Sequence, residues 1–162
     1  MYKKILVPLD GSELAECVLP HVEAIANGCG AAEIVFVRAV EAVSLPYGAI
    51  ADGAGVITED NATQIRKGID ATNESEAVDY LSQLAKRVEL KGSEIKTEVL
   101  KGKIAESLAE YATQNDYDLV IIATHGRSGI SRWVWGSVAD RLLRSACVPV
   151  LMIRGPGCVL GI

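Results

Sequence analysis

Residues 121–137, IIATHGRSGISRWVWGS, join an apolar start to a run of glycine, arginine and hydroxyl side chains. Glycine lets the backbone adopt positive φ and approach a ligand closely, and free N–H groups at the start of a helix bind phosphate. Gly126 and Ser137 bracket this loop, and Ser137 is typical of a residue that begins a helix. The spacing predicts a phosphate-type site between Gly126 and Ser137.

The surrounding charge favours an anion, although simpler interpretations remain open. Basic side chains make this segment locally positive in an acidic chain: Arg127, Arg132, Arg141 and Arg144. Gly126 and Gly129 could instead only turn the chain, and the two tryptophans of the segment are more typical of packing or interface anchors. Neither the P-loop pattern nor the Gly-x-Gly-x-x-Gly pattern is present, so the phosphate site rests on spacing and position alone.

Two further polar groups could do chemistry. Asp10 follows a short apolar run, and its carboxylate either binds a ligand or caps a helix with Glu13 as its capping-box partner. His125 could be a general base, but no serine, cysteine or carboxylate at recognisable spacing completes a triad. We therefore assign no catalytic residue.

The elements that must position these residues alternate between short apolar runs and longer amphipathic segments. Strands are predicted at 4–9, 32–40, 94–100, 119–123 and 148–153, and helices at 13–26, around 77–88, at 104–112 and from Ser137 onward. Residues 41–60 are rich in glycine and small side chains and predict a mobile loop. Apolar strands joined by helices indicate a parallel sheet covered on both faces.

We expect an α/β fold with a single doubly wound, Rossmann-like domain and a five-stranded parallel sheet over residues 1–154, followed by an irregular tail at 155–162. In such sheets ligands bind beyond the carboxyl ends of the strands, where the connections diverge. The Asp10 turn, the end of the second strand and the Gly126 loop all fall there.

Composition excludes several classes of function. The 162 residues are 49% hydrophobic, enough for one core, and the net charge of -5 offers no general attraction for nucleic acid or an anionic membrane. No apolar run approaches the roughly 20 residues of a membrane span, and the start reads as a strand rather than a signal peptide. The four cysteines and two histidines lack metal-ligand spacing. We expect a cytoplasmic protein with no nucleic-acid or membrane partner and no metal site of its own.

Two stretches resemble the universal stress protein family, KKILVPLDGS and THGRSGISRWVWGSVADRLLRSACVPVLMIR, and the resemblance covers nearly the whole chain. The nucleotide-binding branch of that family carries Gly, two residues, Gly, nine residues, then Gly-Ser or Gly-Thr. Here Gly126, residues 127–135, Gly136 and Ser137 match this motif, and Ala123 replaces its first glycine. If that first position needs positive φ, alanine would strain the backbone; if it only needs a small side chain, alanine costs little.

The resemblance implies a role for each matched position. Asp10 resembles the aspartate that holds the adenosine, and Val37 the valine whose main chain meets the adenine. His125, two residues after Ala123 and just past the strand, is also placed among the nucleotide-binding residues. The remaining matched residues would surround the sugar and phosphates: Gly126, Arg127, Ser128, Gly129, Gly136, Ser137 and Val138. The implied ligand is ATP or AMP, with Mg²⁺ or Mn²⁺ bridging the phosphates. The family forms homodimers, which implies pairing through the last strand, Val148 to Ile153.

The leading hypothesis is therefore an ATP-binding, nucleotide-dependent switch in stress response, in which the γ-phosphate orders residues 127–135 for recognition by an unknown protein partner. A slow ATP hydrolase is one alternative, for which His125 and Asp10 are the available groups. A dimeric interaction protein that binds no nucleotide is another, with Ala123 as the mark of a lost site.

Overall fold

The computed structural model describes residues 1–43, 50–51, 55–56, 59–124 and 137–155. In chain order its elements are β1 (Lys4–Pro8), α1 (Glu13–Glu16), α2 (Leu19–Cys29), β2 (Glu33–Val40), β3 (Ile50–Ala51), β4 (Gly55–Val56), α3 (Glu59–Arg87), β5 (Glu94–Lys101), α4 (Ile104–Gln114), β6 (Leu119–Thr124), α5 (Ser137–Ser145) and β7 (Val150–Arg154).

Five strands form one parallel sheet in the order β5-β2-β1-β6-β7. From β1 the chain first builds outward through β2 to β5, and then returns to place β6 on the other side of β1. The direction of building therefore reverses between β1 and β6, which makes this position the topological switch point of the sheet. The predicted α/β, doubly wound, Rossmann-like fold with five parallel strands is confirmed.

Helices cover both faces of the sheet, as the apolar strands predict. On one face Ile5 and Phe36 are fully buried beneath α2 and α3. On the other face Leu6 and Val120 are fully buried beneath α4 and α5. Because successive strand residues point to opposite faces, strands buried on both sides must be apolar throughout.

The single helix predicted over residues 13–26 is wrong. The structure has two helices there, α1 and α2, and Pro20 lies in the first turn of α2. Proline has no N–H and its ring clashes with the preceding helical turn, so it is tolerated only at a helix start. The second helix also continues past the predicted end at residue 26: α2 ends at Cys29, and Gly30 caps it in the left-handed conformation with φ 60°.

The absence of regular structure predicted for residues 41–60 is also wrong. β3 and β4 form a short antiparallel pair within this range, and α3 begins at Glu59. The sequence does not indicate β3 or β4, because a strand of two residues is too short to show a period and both lie among glycines and small residues. Within the described ranges, no helix combines the length and apolar character that a membrane span requires.

Candidate functional site

A cleft of about 210 Å³ opens beyond the carboxyl ends of β1, β2 and β6. It therefore occupies the switch point of the sheet, where ligands of this fold bind. Its lining residues are Pro8, Leu9, Asp10, Leu14, Ala15, Val37, Ala39, Ile104, Leu108, Ile122, Ala123, Val138 and Ala139. Asp10 is the single charged side chain among them. A largely apolar cavity with a carboxylate on its lining suits a small, mostly apolar group that carries a hydrogen-bond donor.

The cleft brings together four residues that the sequence places in the site. Asp10, Val37, Ala123 and Val138 come from four different elements or turns and all line it. Ser137 is the first residue of α5, directly before Val138. The other predicted site residues lie outside the described residues: His125, Gly126, Arg127, Ser128, Gly129 and Gly136. Their roles stay predictions.

Asp10 belongs to a tight turn that leads into α1. Its Oδ1 accepts a hydrogen bond from the main-chain N–H of Ser12 at 2.9 Å, and the Ser12 hydroxyl in turn accepts from the N–H of Ala15 at 3.1 Å. Ser12 is therefore the N-cap of α1, and the interpretation of Asp10 as that cap is wrong. The Asp10 side chain is exposed at the rim of the cleft, where a ligand can reach it.

Val37 is fully buried and presents its side chain to the cleft. Its carbonyl oxygen accepts from the main-chain N–H of Leu9 at 2.9 Å, so the main chain of Val37 faces β1. The carbonyl of Val40 instead accepts from Gly102 beyond β5. Because main-chain groups alternate between the two neighbouring strands, those of Ala39 point to the β1 side, past Leu9 and into the cleft.

Ala123 lies inside β6 and is paired with Ile153 of β7. Among the described residues other than glycine, Asp116 alone has a positive φ, so Ala123 has an ordinary strand backbone. The position therefore needs no glycine for conformational reasons. A small side chain at the cleft wall satisfies the geometry, and the alanine introduces no strain.

The start of α5 completes the cleft. Val138 and Ala139 line it, so the N-terminus of this nine-residue helix faces the cavity. The main-chain N–H groups of a first helical turn have no partner within the helix and carry a partial positive charge. Two arginines that made this segment look positive are engaged elsewhere, since Arg141 pairs with Glu106 and Arg144 with Asp140.

Sequence reasoning missed the apolar part of the wall. Leu14, Ala39, Ile104 and Leu108 line the cleft, and none of them stands out in the sequence. An apolar residue at a strand or helix end has the same type as a core residue, and only the position of the cleft distinguishes the two. For Ala39 alone among these four, its position at the end of a predicted strand could have indicated a place in the site.

The sheet order and the cleft at its switch point define a Rossmann-like α/β protein with a cavity at the carboxyl edge of its strands, where ligands of this fold class bind. The model of the universal stress protein family matches residues 1–154, and the chain belongs to this family. It is 31% identical over 156 residues to universal stress protein MJ0531 of Methanocaldococcus jannaschii, covering 96% of this chain and 84% of that protein.

Solved structures agree with this fold. The structure of MJ0577, a universal stress protein of M. jannaschii, superposes with a TM-score of 0.74 at 24% identity, covering 97% of this chain and 99% of that one. A universal stress protein in complex with cAMP gives a TM-score of 0.66 at 17% identity, covering 95% and 98%. One from Archaeoglobus fulgidus in complex with dAMP gives 0.53 at 21% identity, covering 94% and 98%.

Proposed function

We propose that this protein binds an adenine nucleotide in the cleft between β1 and β6. The observation that carries the proposal is the convergence of Asp10, Val37, Ala123 and Val138 on one cavity at the switch point of the sheet. Family members solved with cAMP and with dAMP support an adenine nucleotide as the ligand class. A further family structure, from Arabidopsis thaliana, contains AMP.

The apolar part of the cleft would hold the base. Val37 and Leu108 give it buried apolar walls, and the main-chain groups of Ala39 lie on the open side of β2. A purine edge needs a paired donor and acceptor, which the N–H and C=O of one strand residue supply. Because the Val37 carbonyl already accepts from Leu9, we move the predicted main-chain contact with the base from Val37 to Ala39.

The rims of the cleft would hold the sugar and the phosphates. Asp10 is an exposed carboxylate that can accept hydrogen bonds from ribose hydroxyls. The N–H groups at Ser137 and Val138 lie at the start of α5, which lines the same cavity, and a helix start of this kind binds phosphate. Residues 126–129 and Gly136 would complete the phosphate contacts.

A divalent ion would enter with the nucleotide. Within the described residues, no three or more histidine, cysteine, aspartate or glutamate side chains are grouped to hold a metal ion. Among the described lining residues Asp10 alone carries a carboxylate, which matches the few protein ligands that Mg²⁺ takes when phosphate oxygens fill its other positions. Mg²⁺ or Mn²⁺ would therefore neutralise phosphate charge rather than bind without ATP.

The function we infer is a nucleotide-dependent switch of the stress response. A ligand shifts a conformational equilibrium only by its differential affinity for the two states, so ATP must contact a segment that AMP leaves untouched. The γ-phosphate, beyond the start of α5, is the group that could do so at residues 127–135. Hydrogen exchange of the AMP-bound protein and of the protein bound to ATP and Mg²⁺ tests this. We expect exchange at residues 127–135 to slow with ATP and Mg²⁺ but not with AMP, and equal exchange in the two states would contradict the switch.

Asp10→Ala tests the site. Removing a charged hydrogen-bond partner should raise the Kd for AMP about tenfold or more, because such bonds contribute about 1.5–3 kcal/mol. Asp79→Ala, at an exposed position on α3, is the matched control and should bind as the wild type does. Equal affinities of both variants, measured by titration calorimetry, would place the nucleotide elsewhere.

A further inference from the structure

One wall of the cleft is formed by residues 10–16, a segment with too little regular structure to be stable by itself. Residues 10–16 supply Asp10, Leu14 and Ala15 to the lining, and their regular structure is the four-residue helix α1. A single helical turn gains too few hydrogen bonds to offset the ordering of its backbone. Contacts from outside the segment must therefore fix these three lining residues.

Tyr80 of α3 provides one such contact. Its hydroxyl donates a hydrogen bond to Oε1 of Glu16, the last residue of α1, at 3.2 Å. Arg87, two turns further along α3, forms an ion pair with the other carboxylate oxygen of Glu16. The end of α1 is thus bound to the side of α3 that faces the sheet.

The ring of Tyr80 is linked to the start of the same segment through Arg38. The guanidinium carbon of Arg38 lies 5.8 Å from the centre of the Tyr80 ring, within the range of a cation–π contact. The same guanidinium packs against Gly11, where an added Cβ would lie 3.2 Å from Nη1. Gly11 also has a φ of 90°, so both its backbone conformation and the nearby guanidinium disfavour a side chain at this turn next to Asp10.

The Tyr80 hydroxyl keeps its proton under physiological conditions. Burial, followed by the nearby carboxylates of Glu16 and Asp10, raises the pKa of Tyr80 well above its ordinary value. The phenol therefore remains a donor to Glu16 at neutral pH, and the contact does not switch with pH.

We propose that Tyr80 is a positioning residue for the cleft: through Glu16 and through Arg38 on Gly11 it holds the segment 10–16 so that Asp10, Leu14 and Ala15 form one wall of the ligand site. This proposal rests on the proposed nucleotide function. It assigns no ligand contact to Tyr80, which is not a lining residue of the cleft.

Tyr80→Phe tests the proposal, because it keeps the ring and removes the hydroxyl. Tyr111→Phe is the matched control, since Tyr111 is also half-buried but lies in α4 against Tyr117. Hydrogen exchange of peptides covering residues 10–17 is measured without ligand, and the Kd for AMP is measured by calorimetry. We expect faster exchange and an about three- to tenfold higher Kd in Tyr80→Phe, and neither change in Tyr111→Phe. This is less than the full loss of one hydrogen bond to a charged group, because Tyr80 acts on the cleft only through the segment 10–16.

A second variant separates positioning from a general loss of stability. Glu16→Gln weakens the same contact from the other side, so the double variant Tyr80→Phe/Glu16→Gln should raise the Kd no more than the larger single effect. Faster exchange with unchanged affinity, or weaker affinity with unchanged exchange, would overturn the proposal. If the wild type binds no adenine nucleotide, the proposed function fails on its own, and exchange at residues 10–17 still decides whether Tyr80 holds the wall.

Discussion

The main-chain N–H of Leu9 donates to the carbonyl oxygen of Val37 at 2.9 Å, and this hydrogen bond closes the ladder between β1 and β2 at the mouth of the cleft. Past it, β2 continues to Val40 while the β1 chain turns away at Asp10. The divergence of these two strands leaves both Ala39 and Asp10 on the lining of one cavity. The cleft is thus a consequence of unequal strand lengths.

Ala123→Leu should block nucleotide binding while the fold persists. The added atoms enter a cleft of about 210 Å³, at a strand position whose backbone accepts any side chain. The Kd for AMP should rise about tenfold or more, which corresponds to about 1.4 kcal/mol. Ala123→Gly should still bind, and Ala71→Leu on the exposed side of α3 is the size control. Unchanged affinity of Ala123→Leu would mean that Ala123 does not border the ligand.

Gly155→Ala should disturb the cleft from outside. Gly155 donates its N–H to the carbonyl of Thr124 at 3.3 Å, and an added Cβ would lie 2.1 Å from Cδ1 of Leu14. Leu14 must then move within the cleft wall, which should cost about 1–3 kcal/mol of stability and weaken AMP binding.

The double variant Gly155→Ala/Leu14→Ala provides the internal control for this clash. With the leucine already truncated, the added methyl group should have little further effect on the midpoint of urea denaturation. If Gly155→Ala costs the same stability in both backgrounds, the conflict with Leu14 is not its cause.

Much of the fold follows from the sequence because the strands are apolar on both faces. Val35 and Phe36 are adjacent and both buried, a pattern that only a sheet covered on two sides requires. The break between α1 and α2 was also present in the sequence, at Pro20, but the apolar spacing across it was the stronger pattern. The β3–β4 pair had no readable signal, since two residues define no period.

The lining of the cleft also contains residues that the sequence indicates and residues that it does not. Asp10 was predictable because a carboxylate directly after an apolar strand stands out, whereas Ala39 is chemically unremarkable and becomes important only through the register of β1 and β2. Sequence reasoning could not decide whether Ala123 was strained. That answer depends on its φ in β6, which composition does not reveal.

Glu33→Gln should reduce the loss of stability that occurs as the pH falls from neutral into the acidic range. A hydrogen bond from Lys96, opposed by burial and assisted by Lys4, lowers the pKa of Glu33 from its ordinary 4.5. A carboxyl whose folded-state pKa is lowered stabilises the fold above about pH 4.5, and this contribution is lost as the pH falls through the lower folded value. Urea denaturation from neutral pH to about pH 3 should therefore show a smaller decline in Glu33→Gln than in the wild type. Glu23→Gln, at an exposed position of α2, should follow the wild type; an identical decline in Glu33→Gln would contradict the assignment.

Met152→Pro tests the proposed dimer through the last strand. Directly before and after β7, the carbonyl of Pro149 and the N–H of Gly155 both bond to the β6 side, so the alternation of main-chain groups points the N–H of Met152 away from the sheet. Proline there removes an outward donor and leaves the β6 ladder intact. Light scattering should show a dimeric wild type and a monomeric, folded variant. A dimeric Met152→Pro protein would exclude strand pairing at this edge.

The central claim is that the cleft binds an adenine nucleotide, and the melting temperature of the wild type with no ligand, AMP, ATP with Mg²⁺, or GMP tests it most directly. A ligand at about 100 times its Kd adds about 2.7 kcal/mol, which raises the melting temperature of a domain of this size by about 5 to 11 °C. If the cleft binds an adenine nucleotide, AMP should produce such a rise, ATP with Mg²⁺ at equal concentration a larger one, and GMP little change. An unchanged melting temperature with both adenine nucleotides would contradict it.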